Sequence, residues 1–270
     1  MIAEAGFEAV DLSMYSTDNT YFEQSGKLLA SEVLRVAEGL GISVTSAHAP
    51  FSDFLPTAEA AAHNREVFSS MCHAFKIASR AGAETVVVHP AFICPHLTRD
   101  ERFELNMELY YHLNNVARGE GVRILTENTY GRHSKKSDRL VKTVCSDTAE
   151  LKRYADALCE LDIGLCFDVG HASLVGESAE SMIRELSGRI NLIHVHDNDF
   201  YTDSHTLPYL GETDFPAVCK ALGRAGYSSD ITMESDGFIR NMPDAVMPDA
   251  LRLCASVAAH IRDEIVKYSL

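Results

Sequence analysis

An α/β fold built on a parallel sheet is the architecture this sequence predicts, and three observations carry it. Short runs rich in Val, Ile and Leu alternate with longer amphipathic stretches along the whole 270 residues. Most of the short runs lack polar alternation, which suits strands covered on both faces. Several helical stretches end on a glycine just before the next run, where a left-handed C-cap is wanted.

In chain order, the patterns predict strands at 9–12, 43–47, 85–88, 123–126, 164–167, 191–195 and 231–233. Helical patterns fill the intervals at 27–40, 58–80, 100–118, 147–161, 179–186, 215–224 and 244–267, and Gly41, Gly82, Gly121, Gly164 and Gly226 read as their stops. Repeated strand–helix units with short links imply a parallel sheet, either open and doubly wound or closed into a barrel. No G-x-G-x-x-G turn follows a strand, which weighs against a dinucleotide fold. No Pro/Ser-rich linker divides the chain, so residues 1–270 are expected to form one domain. Only seven strands are visible, and residues 2–6 read as the tail of a helix. An eight-stranded barrel would need a strand before Met1, so either the first strand–helix unit lies outside this chain or the barrel is incomplete.

Composition narrows the function. With 46% hydrophobic and 23% charged residues the chain is globular, neither disordered nor a disulfide miniprotein. Seven cysteines without a C-x-x-C pair give no disulfide framework and no thiolate zinc site. The opening segment lacks the pattern of a signal peptide, and no apolar run is long enough for a membrane span. A reducing cytoplasm is the expected compartment. The net charge of −15 disfavours nucleic acid, whose binders neutralise phosphates with clustered Lys and Arg.

The strand ends carry the chemistry. Successive strands finish on His48 (SAHAPF), His89 (VVVHPA), Glu127 (LTENTY), Asp168 (CFDVGH), His196 (HVHDND) and Glu234 (TMESDG). His171 follows Asp168 by three, and Asp203 and His205 follow His196 in the next loop. Taken singly, a histidine on an apolar strand is an ordinary interior residue, and Asp168 or Glu127 could simply cap the next helix. Taken together, several carboxylates on one barrel rim are expensive to bury unless a cation compensates them. Oxygen and imidazole ligands suit a divalent metal, Zn²⁺ or Mn²⁺ ahead of Mg²⁺ or Co²⁺. His194 shares a strand face with His196 one layer down, as a hydrogen-bonded support, and Cys166 reads as core packing.

At these residues the sequence resembles the xylose isomerase-like TIM barrels. These are sugar and sugar-phosphate isomerases and epimerases, with the endonuclease IV type of DNA-repair enzyme as a relative. The resemblance runs from Gly6 to about Gly237 and lies in the ordered set H-A-P, H-P, E-N, D-x-G-H, H-x-x-D, D-x-H, G-E and E. It implies a TIM (β/α)8-type barrel whose first strand and most of whose first helix precede Met1. In the isomerase and epimerase branch one divalent metal is held at positions matching Glu127, Asp168, His196 and Glu234. In the endonuclease branch three zinc ions use a larger set, matching these four with His48, His89, His171, Asp203 and His205, although the spacing to Gly211 departs from that pattern. Ketose 3-epimerases carry an arginine soon after the ligand histidine; residues 197–205 contain none, so a simple ketohexose epimerase is not expected.

The resemblance and the residues together lead to an isomerase or epimerase for a sugar, sugar phosphate or related polyol or keto compound. It would abstract a proton next to a carbonyl through a metal-stabilised enediolate, with Glu127 and Glu234 as the catalytic pair. His48, His89 and His171 are expected to bind substrate oxygens, and Phe51, Tyr130 and Phe200 to wall the ring. The loop after Glu127 is basic, and it reads either as a solvated loop or as the place where Arg132 and Lys135 hold a substrate phosphate or carboxylate. Three alternatives stay open: a trinuclear endonuclease, a dehydratase of the same fold, and a non-catalytic metal-binding or sensor protein. An unpaired barrel edge would also suit a homodimer.

Overall fold

β-Branched and aliphatic runs become strands wherever both faces are covered, and the computed structural model of the chain follows that rule closely. It describes residues 1–16, 22, 26–130, 132–133 and 140–269, with backbone alone at 132, 133, 140 and 141. Arg132 is thus present without a described side chain, and Lys135 lies outside the described residues. Chain contacts divide the protein into two compact units. One comprises Glu8–Glu127 with Tyr154–Gly164; the other comprises Met1–Phe7, Asn128–Arg153 and Leu165–Leu270.

The first unit holds four parallel strands, β1 (Ala9–Ser13), β2 (Ser43–His48), β3 (Thr85–Val88) and β4 (Arg123–Glu127), paired in chain order. Helices α2 (Gly26–Leu40), α3 (Ala61–Ala81) and α4 (Arg99–Glu120) form the crossovers. Helix α4 starts on a reciprocal capping box, Thr98 accepting from the Glu101 N–H while Glu101 returns to the Thr98 backbone. Gly82 and Gly121 close α3 and α4 at φ 92° and 77°, as their place in the sequence predicts. The core is Val86, Val87, Val88, Ile124 and Leu125 packed with Phe75, Ile77 and Leu113, all essentially inaccessible.

The second unit opens with one helical turn, α1 (Ile2–Ala5), stopped by Gly6 at φ 107°. The basic loop after β4 contains a two-stranded antiparallel ribbon, β5 (Arg132–His133) with β6 (Leu140–Val141). Parallel strands β7 (Gly164–Asp168), β8 (Ile190–Val195) and β9 (Ile231–Met233) again pair in chain order. The unit's other helices are α6 (Val169–Leu174), α7 (Ala179–Glu185), α8 (Phe215–Arg224), α9 (Asp236–Ile239) and α10 (Met247–Lys267), while α5 (Thr148–Cys159) has residues in each unit. Strand β7 is buried along its length, consistent with its unbroken apolar sequence.

Two expectations need correction. Gly164 is not a helix stop: α5 ends at Cys159, the left-handed turn falls on Asp162 at φ 59°, and Gly164 opens β7. Aspartate tolerates that conformation because its short polar side chain bonds locally. Helix α10 begins at Met247 rather than 244, because Pro248 takes a first-turn position whose missing N–H costs nothing. Helices α6 and α9 and the β5–β6 ribbon are too short to leave a periodic signal. Among the described residues no helix is long and apolar enough to cross a membrane.

Candidate metal centre

Register places the first group of ligand-type residues. His48 ends β2 opposite Val87, and Val88 of β3 faces Thr126 of β4, so the next residues on those strands are His89 and Glu127. Their side chains meet. His89 Nε2 lies 2.7 Å and His48 Nε2 3.3 Å from the same Glu127 Oε2, with 3.2 Å between the two nitrogens. Glu127 is buried, and Phe51 stacks on the His89 ring at 5.0 Å and 12° while half exposed. His48 Nδ1 donates to the Ala49 carbonyl at 2.8 Å. A carbonyl can only accept, so the proton sits on Nδ1, and in the neutral ring Nε2 presents a lone pair to the carboxylate.

The second group uses the same device twice. Asp168 ends β7 and His196 follows β8; their Oδ1 and Nε2 are 3.2 Å apart and neither side chain is accessible. His171 Nδ1 donates to the Asn128 carbonyl at 3.0 Å, and His205 Nδ1 to the Glu234 carbonyl at 2.9 Å. Both rings thereby turn Nε2 toward Asp203, at 3.9 Å for His171 and 3.4 Å for His205. His196 Nε2 is 3.8 Å from Asp203, and the His196 and His205 rings stack in parallel at 3.9 Å. One ligand atom from each of His171, His196, Asp203 and His205 lies within 4.8 Å of every other. Tyr130 packs on His171 at 4.9 Å, and Phe200 is exposed on the same loop as Asp203. His194 is wholly buried, with Nδ1 3.1 Å from Glu234 Oε1.

Asp168 has two partners at once. Its Oδ1 accepts the His171 N–H at 2.6 Å and so caps α6. A cap contributes about 1 kcal/mol, whereas burying a carboxylate costs several kcal/mol. Capping alone cannot account for an Asp with no exposure, and His196 Nε2 stands 3.2 Å from the same Oδ1.

The electrostatics answer whether these groups fit a cation. Burial drives the His205 pKa down, but its hydrogen bond to Asp203 and the charges of Asp203, Asp168 and Glu234 outweigh it and raise the value to about 10. Burial likewise disfavours charged His196, and Asp168 overrides it to give a net upward shift. Burial disfavours ionised Asp203, and the histidines around it hold its pKa below the ordinary range all the same. These side chains therefore collect positive charge. Buried His196 Nδ1 makes no hydrogen bond. Lone pairs converging on carboxylates, with ring orientation set by backbone carbonyls, are the arrangement a divalent ion accepts.

Two contributors escape a reading of the sequence. Asn128 binds the Asp168 backbone both ways, Nδ2 donating to the carbonyl at 2.8 Å and Oδ1 accepting from the N–H at 2.7 Å. Its position directly after a strand-ending ligand was the available signal. Gly170 is the glycine of D-x-G-H, and a Cβ there would come within 2.1 Å of His196 Cε1. Only glycine lets that ring lie against the α6 backbone.

Comparison with known proteins identifies the fold family. Residues 1–256 match the xylose isomerase-like TIM barrel family. An uncharacterized protein of Methanocaldococcus jannaschii, MJ1311, is 29% identical over 205 residues, covering 74% of this chain and 65% of that relative's length. A probable endonuclease 4 of Mycobacterium leprae is 25% identical over 202 residues, 73% of each chain. Among solved structures, a D-tagatose 3-epimerase-like protein superposes with a TM-score of 0.76 at 19% identity, covering 98% of this chain and 92% of its own. The IOLI protein with a bound zinc atom gives 0.74 at 17% identity, covering 99% and 91%. The chain belongs to the xylose isomerase-like TIM barrel family.

Proposed function

We propose that this xylose isomerase-like barrel is a divalent-metal-dependent isomerase or epimerase acting on a sugar, a sugar phosphate or a related polyol or keto compound. The observation that carries the reading is the series of three paired strands β7, β8 and β9, ended or followed at once by Asp168, His196 and Glu234. Asp168 meets His196 at 3.2 Å, and Glu234 is steadied by His194 at 3.1 Å. The likeness to a sugar epimerase-like structure supports the substrate class, and the zinc of the IOLI structure supports the metal.

By the family resemblance, the positions that would hold the ion are Asp168, His196, Glu127 and Glu234. When bound, a divalent cation supplies Lewis-acid polarisation of the substrate carbonyl and its neighbouring hydroxyl. Glu127 and Glu234 move the proton: one carboxylate removes it from the carbon next to the carbonyl and the other returns it, for epimerisation or, at the adjacent atom, for isomerisation. His171, with Nδ1–H committed to the Asn128 carbonyl, offers Nε2 to a substrate oxygen. His48 and His89 hold another hydroxyl, Phe51 and Tyr130 wall the ring, and Arg132 and Lys135 draw an anionic substituent.

The test is hydrogen exchange. Incubated in D2O with zinc or manganese and a panel of ketoses and their phosphates, the native protein should incorporate deuterium at a carbon beside the carbonyl. Glu127→Gln and Glu234→Gln should each lower that rate by about 10²–10⁴, the usual contribution of a positioned acid or base, while metal content is retained. Undiminished exchange in either variant removes that glutamate from the mechanism.

A second reading is favoured by one observation: Asp203 and His205 join His171 and His196, which extends the ligand inventory toward the nine residues of the endonuclease resemblance. The Mycobacterium leprae relative supports it. The −15 net charge opposes it, since a DNA partner must be held by its phosphates. Three tightly bound zinc ions with strong incision of abasic duplex DNA would establish this reading and displace the first.

A further inference from the structure

We propose that Asp197 is a positioning residue that holds the loop carrying Asp203 and His205 in place, so that half of the second ligand group depends on one buried carboxylate. The inference rests on reading Asp203 and His205 as parts of the site.

Asp197 follows His196 directly and is wholly inaccessible. Its side chain accepts four backbone N–H groups. Oδ1 takes those of Asn198 at 2.9 Å and Thr213 at 3.1 Å; Oδ2 takes those of Tyr209 at 3.0 Å and Gly211 at 2.9 Å. Its main chain pairs in both directions with Thr206, at 2.9 and 3.0 Å, in an isolated antiparallel bridge. The carboxylate therefore ties the start of the loop to its middle and its end. An ionised carboxylate has the acceptor capacity for four donors; an asparagine amide would set an NH₂ group against two of them.

The loop needs such a tie because its backbone is strained. Phe200, His205 and Tyr209 adopt φ of 65°, 44° and 73°, three of the five non-glycine residues with positive φ among those described. Side chains rarely occupy that region, and such strain persists only where the surroundings over-determine it. Two glycines make the room. A Cβ on Gly211 would sit 2.3 Å from the Asn198 carbonyl oxygen and 2.5 Å from Asp197 Oδ1; one on Gly237 would sit 2.0 Å from the Ser204 carbonyl oxygen. Asp203 and His205 flank that last contact, and His205 reaches the Glu234 carbonyl only while the loop keeps this course.

The experiment uses metal-free, ¹⁵N-labelled protein of residues 1–270 and needs no substrate. In Asp197→Asn, the His205 Nδ1–H resonance should collapse to that of a solvent-exposed imidazole. Amide exchange at Asn198, Tyr209, Gly211 and Thr213 should rise at least 100-fold, while the His171 Nδ1–H bonded to Asn128 stays unchanged. Gly211→Ala, which keeps the carboxylate but intrudes on it, should release the same signals. An unaltered His205 in both variants overturns the proposal. So does loss of the His171 signal alongside it, or an unfolded Asp197→Asn, because either would make Asp197 a general stability residue. Zinc titration of the same samples separates this inference from the functional reading: His205 released in the variants, with no zinc bound by the native protein, would uphold the positioning role and defeat the metal reading.

Discussion

The two ligand groups are made of the same parts but held by different means. In the first, all three residues lie on or immediately after paired parallel strands, and pairing alone brings their Nε2 and Oε2 atoms within 3.3 Å. In the second, Asp168, His171 and His196 stand on or beside strands, whereas Asp203 and His205 ride on a loop with three strained residues. A strand end inherits its position from a ladder of hydrogen bonds; a loop residue must have its position built for it, here by Asp197, Gly211 and Gly237. The first group should therefore tolerate perturbation that the second does not.

The largest expected effect comes from the backbone beneath the second group. Gly170→Ala would drive a methyl into the His196 ring, which is inaccessible and already stacked on His205. Overpacking of this kind costs about 1–3 kcal/mol, and with a backbone-mounted methyl the upper end is expected. Thermal unfolding should show a midpoint lowered by several degrees. Zinc binding at the second group should fall, and on the three-zinc reading the first group should keep its own; equal loss at both would erase the distinction.

Deleting a direct ligand comes next. On the three-zinc reading, in which Asp203 and His89 are ligands, Asp203→Ala and His89→Ala should each weaken zinc at their own group by more than the roughly 10–100-fold typical of losing a supporting partner; on the single-metal reading His89→Ala should leave the ion in place. Isothermal titration of the two variants and their combination should show independent losses, and strong coupling between them would contradict separate groups.

A pH dependence sharpens the comparison further. Folding raises the His205 pKa from an unfolded value near 6.5 to about 10. The native state thus keeps a proton that the unfolded chain gives up. That stabilisation is complete below about pH 6.5, and it is lost as pH climbs through about 10. Metal-free protein should lose stability to urea across this window, and His205→Ala should flatten the slope within it.

The smallest effect belongs to the first group's exposed wall. Phe51→Ala removes a ring stacked on His89 but half in water, so stability should change by no more than about 1 kcal/mol. If Phe51 walls the substrate, KM should rise with little change in kcat; an unchanged KM would take Phe51 out of the site.

Legibility in the sequence follows the same divide. The parallel strands of both units lie within a residue of their predicted ends, because β-branched runs such as Thr85–Val88 and the apolar core of Gly164–Asp168 announce themselves locally. The expectation at Gly164 failed because a left-handed residue was needed and Asp162 supplied it two positions earlier. Asp203 and His205 could be named from the resemblance, but nothing local explained how a chain stretch without regular structure would present them.

What the sequence determined by itself was the series of strands and the ligand-type residue at each strand's end, since side-chain alternation and apolar runs act over a few neighbouring residues. The tertiary structure alone decided which imidazole nitrogen carries the proton, which glycines must lack a side chain and which carboxylate holds the Asp203–His205 loop. Those outcomes depend on hydrogen bonds and close contacts between residues far apart in the chain, such as His171 with Asn128 and Gly237 with Ser204. No short stretch of sequence contains both partners.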